Sequence, residues 1–225
     1  MPKPTGIALL ACSALLPACD KSDAGTIYYV VAPVVAGIVM YLVVKRALRG
    51  FRQSFESVAA KYYGAVTKFE GGAGAGDFEL NGAHDGHRFV FHTATEGSRT
   101  SQSLRVMGRP TPAPTRLVLA DRAWWKHAAA TFGANPSSGV EWGSYVHAGE
   151  PSDAVATLLA KPGVQGHLDT LRRSIPLSLQ LDAQGVEYRL AVKGQQALAM
   201  PKYYKEEILS WFIEAMVALT IELER

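Results

Sequence analysis

Between Thr26 and Val44 the chain carries no charged side chain, and Lys45, Arg46, Arg49 and Arg52 follow directly behind. At a helical rise of about 1.5 Å per residue the run spans roughly 28 Å, close to the hydrocarbon thickness of a bilayer. The spacing predicts a transmembrane helix over 26–44. Asp20 and Asp23 precede it. The cations behind it therefore predict a single pass, with the C-terminal part on the cytoplasmic side and Lys45, Arg46, Arg49 and Arg52 juxtamembrane. Tyr28, Tyr29 and Tyr41 fit an aromatic belt at the two ends. Ala32, Ala36 and Gly37 form a small-residue stripe through which two such helices approach in a homodimer.

Residues 1–25 read as a leader. Ile7 to Leu16 is nearly apolar, too short to span but long enough for a signal-peptide core. The run ends in Leu16-Pro17-Ala18-Cys19, which resembles the lipobox of bacterial lipoproteins, with Pro17 in place of the usual small residue. That resemblance makes Cys19 a lipidation candidate, and Asp20 behind it resembles an inner-membrane retention signal. Cys12 and Cys19 are the chain's 2 cysteines. Everything after the leader is therefore without disulfides, thiolate nucleophiles or cysteine metal ligands. The formal charge is only +3, and much of it lies in the juxtamembrane cluster, so no nucleic-acid partner is expected.

A juxtamembrane segment, 45–76, is expected to continue as a helix. Phe51, Phe55, Val58, Ala59 and Tyr62 recur at helical spacing before the run Gly71–Gly76. That run matches no phosphate-loop register and reads as a hinge. Residues 77–225 then read as an α+β domain with a mostly antiparallel sheet of about seven strands. Phe78-Leu80 and Phe89-Phe91 alternate around His84-Asp85-Gly86. Ser101–Met107, Arg116–Ala120 and Val140–His147 are three further strands. Ile175–Leu181 and Val186–Val192 pair around Asp182–Gly185. Asp121 is placed to cap a short helix through Phe132, and two short helices end at Leu159 and Leu171. A long terminal helix opening at Pro201 presents Ile208, Trp211, Phe212, Ala215, Met216, Leu219 and Leu223 as a broad apolar face. Such a face buries against a sheet.

The stretch Glu141-Trp142-Gly143-Ser144-Tyr145-Val146-His147-Ala148-Gly149-Glu150-Pro151-Ser152-Asp153-Ala154-Val155-Ala156-Thr157-Leu158-Leu159, with the later hairpin and terminal helix, resembles an uncharacterised family of bacterial domains attached to one or two membrane helices. The resemblance covers roughly 78–225 and rests on hydrophobic spacing. It implies a membrane-tethered α+β domain and supplies no catalytic residues.

No motif for catalysis stands out. The chain has 6 histidines. His87 and His92 differ by an odd number, which puts them on opposite faces of a strand. There is no H-E-x-x-H helix and no G-x-S-x-G elbow. No metal and no cofactor are expected. Arg99, Arg105, Arg109, Arg116, Arg122 and Lys126, with Trp124 and Trp125, outweigh Asp121 as the one acid among them. Either they converge on an anionic surface or ligand, or they occupy solvated faces of separate strands. The expected function is a non-enzymatic binding or assembly domain at the bacterial inner membrane, whose partners are the bilayer and a protein or second copy. The alternatives are an anionic-lipid or acidic-ligand binding domain, and a hydrolase with a non-sequential site.

Overall fold

The computed structural model describes residues 21–72, 75–96, 99–193 and 205–225. The chain divides into two compact units, 1–47 and 48–225. Cys19 and Pro201 lie outside the described residues.

Helix α1 covers Lys21–Lys61. Within the first unit its side chains from Val31 to Val43 are uncharged, and Val34, Ile38, Met40, Tyr41, Leu42 and Val43 are each more than half exposed. Among the described residues, no helix is long and apolar enough to cross a membrane. This corrects the transmembrane helix expected over 26–44. It also corrects the single-pass inner-membrane placement with a cytoplasmic domain that was drawn from it. Lys45, Arg46, Arg49 and Arg52 are exposed on α1. Lys45 Nζ lies 5.6 Å from the centre of the Tyr41 ring, and Arg52 Nε pairs with Glu56 Oε1 at 2.7 Å.

In the second unit the end of α1 turns sharply. Gly64 N–H donates to the Ala59 carbonyl at 2.8 Å and Tyr63 N–H to that of Ala60 at 3.5 Å. This is the paired 6→1 and 5→2 bonding of a Schellman cap. The left-handed position is held by Tyr63, at φ 53° and 95% exposed. Gly64 follows because a Cβ there would meet the Asn81 carbonyl oxygen at 1.8 Å.

Nine strands form one antiparallel sheet: β1 (Ala65–Gly72), β2 (Ala75–His84), β3 (His87–Glu96), β4 (Arg99–Met107), β5 (Arg116–Asp121), β6 (Val140–Trp142), β7 (Tyr145–Glu150), β8 (Ser178–Asp182) and β9 (Gly185–Lys193). Their order is β1-β2-β3-β4-β9-β8-β5-β7-β6. The count exceeds the expected seven for two reasons. The glycine run belongs to the β1–β2 hairpin, where Gly71 pairs with Gly76 and Gly72 with Ala75. The expected strand 140–147 is cut in two at Gly143, whose φ is 58°. Asp85 and Gly86, at φ 48° and 81°, make the tight two-residue turn between β2 and β3. Gly185 is required by close approach, since a Cβ would meet the Val106 carbonyl oxygen at 2.1 Å.

Period-two alternation gives the sheet two faces. One carries Phe78, Leu80, Phe89, Phe91, Leu104, Val106, Tyr188, Leu190, Leu179, Leu117 and Leu119 into the main core. There they meet Phe55, Val58 and Tyr62 of α1, together with α3 (Ser152–Leu159), α4 (Val164–Arg172) and α5 (Glu206–Glu224). At about 25 cal/mol per Å² of apolar area this burial is the main favourable term. On the other face α2 (Trp125–Phe132) covers Val118, Ala120 and Val146 with Trp125, Ala128, Ala129 and Phe132. Most of the remainder of that face is polar, with Asp77, His92, Ser101, Ser103, Arg105, Glu187 and Arg189 on it.

A candidate anion-binding groove at the end of strand β5

Strand β5 is buried after its first residue, and its last residue, Asp121, is polar. Alternation turns Asp121 toward the main core, opposite Tyr145 of β7. A helical cap was the expected role, but the side chain makes no capping bond to the 3-10 turn Arg122–Trp124 that follows. It turns inward instead. Asp121 Oδ2 accepts from the Leu177 backbone N–H at 2.9 Å. Oδ1 lies 2.8 Å from Arg172 Nε, yet it accepts no hydrogen bond of good geometry. The contact is therefore an ion pair with the N–H aimed elsewhere.

The last turn of α4 brings Asp169 and Arg172 to this point, beside Tyr145 of β7. Arg172 stacks its guanidinium over the Tyr145 ring at 5.7 Å. The Tyr145 hydroxyl donates to Asp169 Oδ1, and burial followed by that bond pushes the phenol far above its ordinary range. The Asp121 carboxyl is also pushed up. Burial is the largest cause, opposed by the Leu177 N–H and Arg172, and Asp169 adds to the rise. A carboxylate touching a guanidinium ordinarily titrates low; here desolvation outweighs the pair.

Above Asp121 opens a groove of about 660 Å³, lined by Arg122, Trp124, Arg172, Arg173, Ile175 and Pro176 among others. That volume lies within the usual range for ligand sites, about 300–1,000 Å³. Arg122 Nη2 pairs with Glu141 Oε2 at 3.0 Å and donates to the Gly143 carbonyl at 3.3 Å. Arg173 is exposed and, among the described residues, its side chain makes no ion pair. Trp124 is half-buried against the core, its ring 5.4 Å from that of His127. The groove thus offers guanidinium donors beside an apolar wall.

Of the cations and tryptophans singled out in the sequence, only Arg122 and Trp124 line this groove. Arg99 opens β4, opposite Lys193 of β9. Arg105 lies on the polar face, paired with Asp182 at 2.9 Å and Glu187 at 3.2 Å. Arg109, Arg116 and Lys126 are exposed, and Trp125 is buried with its Nε1 donating to the Pro136 carbonyl. Arg172, Arg173 and Asp169 were missed. They reach Asp121 only through the chain reversal that pairs β5 with β8. The one available signal was Asp121 itself, an acid ending an apolar strand amid arginines.

The polar face holds a second, smaller hollow of about 300 Å³, with His92, Ser101, Ser103, Thr131 and Arg189 in its lining. His92 Nε2 lies 2.8 Å from Asp77 Oδ1, and Lys68 holds the other Asp77 oxygen at 2.6 Å. That Lys68 bond is the main reason the Asp77 carboxyl is held low. Ser103 stands directly across from His92 in the ladder, but no hydrogen bond joins the two side chains. His87 lies on the opposite face, 2.9 Å from Glu224 Oε2, as the odd spacing predicts. No group of three metal-ligating side chains occurs among the described residues.

No protein-family model matches the sequence, and no curated protein matches it. Among solved structures the chain is similar to the mycobacterial trehalose monomycolate transport factor A, TtfA, at 9% identity and a TM-score of 0.41, over 75% of this chain and 97% of that one. A likeness of that size carries no argument about function.

Proposed function

We propose that this chain is a binding domain for an acidic ligand, taken in the groove at the end of β5. The observation that carries the reading is that Arg122, Arg172 and Arg173, the last without an ion pair among the described residues, line one groove together with Trp124, Ile175 and Pro176. Guanidinium groups bind carboxylates and oxyanions through paired donors, and a half-buried tryptophan supplies contact area at low entropic cost. The site is built for a ligand with an ionised head and an apolar body. An open groove without a nucleophile hydrogen-bonded to a base suits capture better than covalent chemistry.

The test is titration of the full chain with naphthalene-2-sulfonate at low salt, followed by tryptophan fluorescence. Binding is expected, with Arg173→Ala weakening it about tenfold, or about 1.4 kcal/mol, and Trp124→Phe removing most of the optical change. Screening by salt is expected to weaken it further. If the probe fails to bind at low salt, or binds Arg173→Ala as tightly as the parent, the reading is wrong.

A further inference from the structure

Arg172 serves two sides at once. Its Nε lies 2.8 Å from the Asp121 carboxylate, whose side chain is only 9% exposed, while the arginine itself is 44% exposed and lines the groove. The groups facing Asp121 come from three elements. Arg172 and Asp169 come from α4, Tyr145 from β7, and Arg122 from the turn that follows Asp121, with the Leu177 N–H as the one backbone donor. Of these, only Arg172 brings a positive charge into contact with the carboxylate, and it brings it without a well-aimed hydrogen bond. The pair is poorly held, and the cation in it has a second use.

Resting on the acidic-ligand reading above, we propose that anion binding in this groove is coupled to proton uptake by Asp121. The incoming acid draws the Arg172 guanidinium into the groove. The carboxylate left behind is enclosed by Ile175, Leu177 and the core. An isolated buried carboxylate is far costlier than its neutral acid, so one proton passes from water to Oδ1, and that O–H is the only covalent bond formed. Asp169 keeps its bond from the Tyr145 hydroxyl and adds a like charge that favours the same protonation. Even with Arg172 in place, burial already lifts the carboxyl, so loss of the cation lifts it further.

The sign follows from linkage. Asp121 has a higher proton affinity in the bound state than in the free state. Between those two titration points, binding takes up a proton and tightens as pH falls, by up to about tenfold per pH unit. Below the free-state point and above the bound-state point, affinity is flat.

Naphthalene-2-sulfonate isolates this effect because its own charge is constant over the range. The expected results are a rise in affinity on acidification and an uptake of up to about one proton per bound probe. The uptake is read by calorimetry in two buffers of different ionisation heat, which requires no variant. Asp121→Asn is expected to bind with pH-independent affinity. Binding with no proton uptake overturns the coupling and leaves the acidic-ligand reading standing. A slope that persists in a folded Asp121→Asn also overturns it. Failure of the probe to bind at any pH removes both.

Discussion

Two clusters in the second unit are assembled from the same three kinds of side chain. Between α1 and α5 the Tyr62 hydroxyl donates to Glu214 Oε1 at 2.7 Å, and Lys61 Nζ reaches the same oxygen at 2.9 Å and lies 5.0 Å from the tyrosine ring centre. At the end of β5 the Tyr145 hydroxyl donates to Asp169, and Arg172 stacks over that ring while touching Asp121. Their carboxylates respond in opposite ways. Bonds from Lys61 and then Tyr62 hold Glu214 below its ordinary range, whereas burial holds Asp121 above its own. Glu214 is 43% exposed and keeps most of its hydration; Asp121 is 9% exposed and does not. Hydrogen bonds from a lysine and a tyrosine stabilise the carboxylate at the rim, whereas one deeper, with a backbone N–H and a poorly aimed guanidinium, does not recover its desolvation cost.

Removing the cation separates the two most widely. Arg172→Met keeps the apolar stem but strands Asp121, and is expected to cost about 2 kcal/mol at neutral pH. Lys61→Met at the exposed pair is expected to cost less than about 1 kcal/mol. Urea unfolding of both variants measures the gap, and equal losses would show that depth is not the deciding variable. Acidification is expected to shrink the Arg172→Met loss, because a protonated Asp121 no longer needs a countercharge.

The hydroxyls give the next largest contrast. Tyr145→Phe leaves Asp169 without its donor in a partly enclosed site, and is expected to cost about 1.5 kcal/mol. Tyr62→Phe leaves Glu214 its lysine and access to water, and about 0.5 kcal/mol is expected. A larger loss at Tyr62 would reverse the ranking of the two clusters.

Much of the scaffold around these clusters was legible. Asp85-Gly86 marks its hairpin because few residues accept those backbone angles, and the alternation of Phe89 and Phe91 or Val186 and Tyr188 names the buried face directly. Strand β1 was not legible. Lys68 and Glu70 dilute its alternation, and its glycines resemble a hinge until Gly76 and Ala75 are seen opposite them. The arginines could not be resolved by counting, because their fates depend on distant partners. Arg105 is claimed by Asp182 and Glu187, while Arg172 and Arg173 arrive at Asp121 from another element. Local pattern encodes which face a residue takes; it does not encode what waits there.

The pH dependence of stability should carry opposite signs for the two carboxylates. Asp121 binds its proton more tightly folded than unfolded, so its contribution falls as pH rises through the folded titration point. Asp121→Asn is expected to flatten that decline. Glu214 is depressed, so its contribution is present above the unfolded value near 4.5 and is lost as pH falls through the folded one. Glu214→Gln is expected to remove that acid-side loss. Thermal midpoints from about pH 3 to about pH 8, on both sides of the ordinary carboxylate values, compare the two slopes, and slopes of the same sign would contradict the assignment.

The smallest expected effect lies next to the exposed cluster, where the cost is in the backbone instead of in charge. Tyr63 holds the left-handed cap position at φ 53° with a side chain that is 95% exposed, so its ring contributes little packing to offset the strain. Left-handed geometry costs an L-residue about 1–2 kcal/mol, and the added unfolded-state freedom of glycine returns part of that. Tyr63→Gly is therefore expected to stabilise the fold by about 0.5 kcal/mol, whereas Gly64→Ala, driven into the Asn81 carbonyl, is expected to destabilise it. A Tyr63→Gly variant that loses stability would mean the ring makes contacts beyond those of this chain's own surface, and the rim cluster would then have to be compared with the groove as a second place built for a partner.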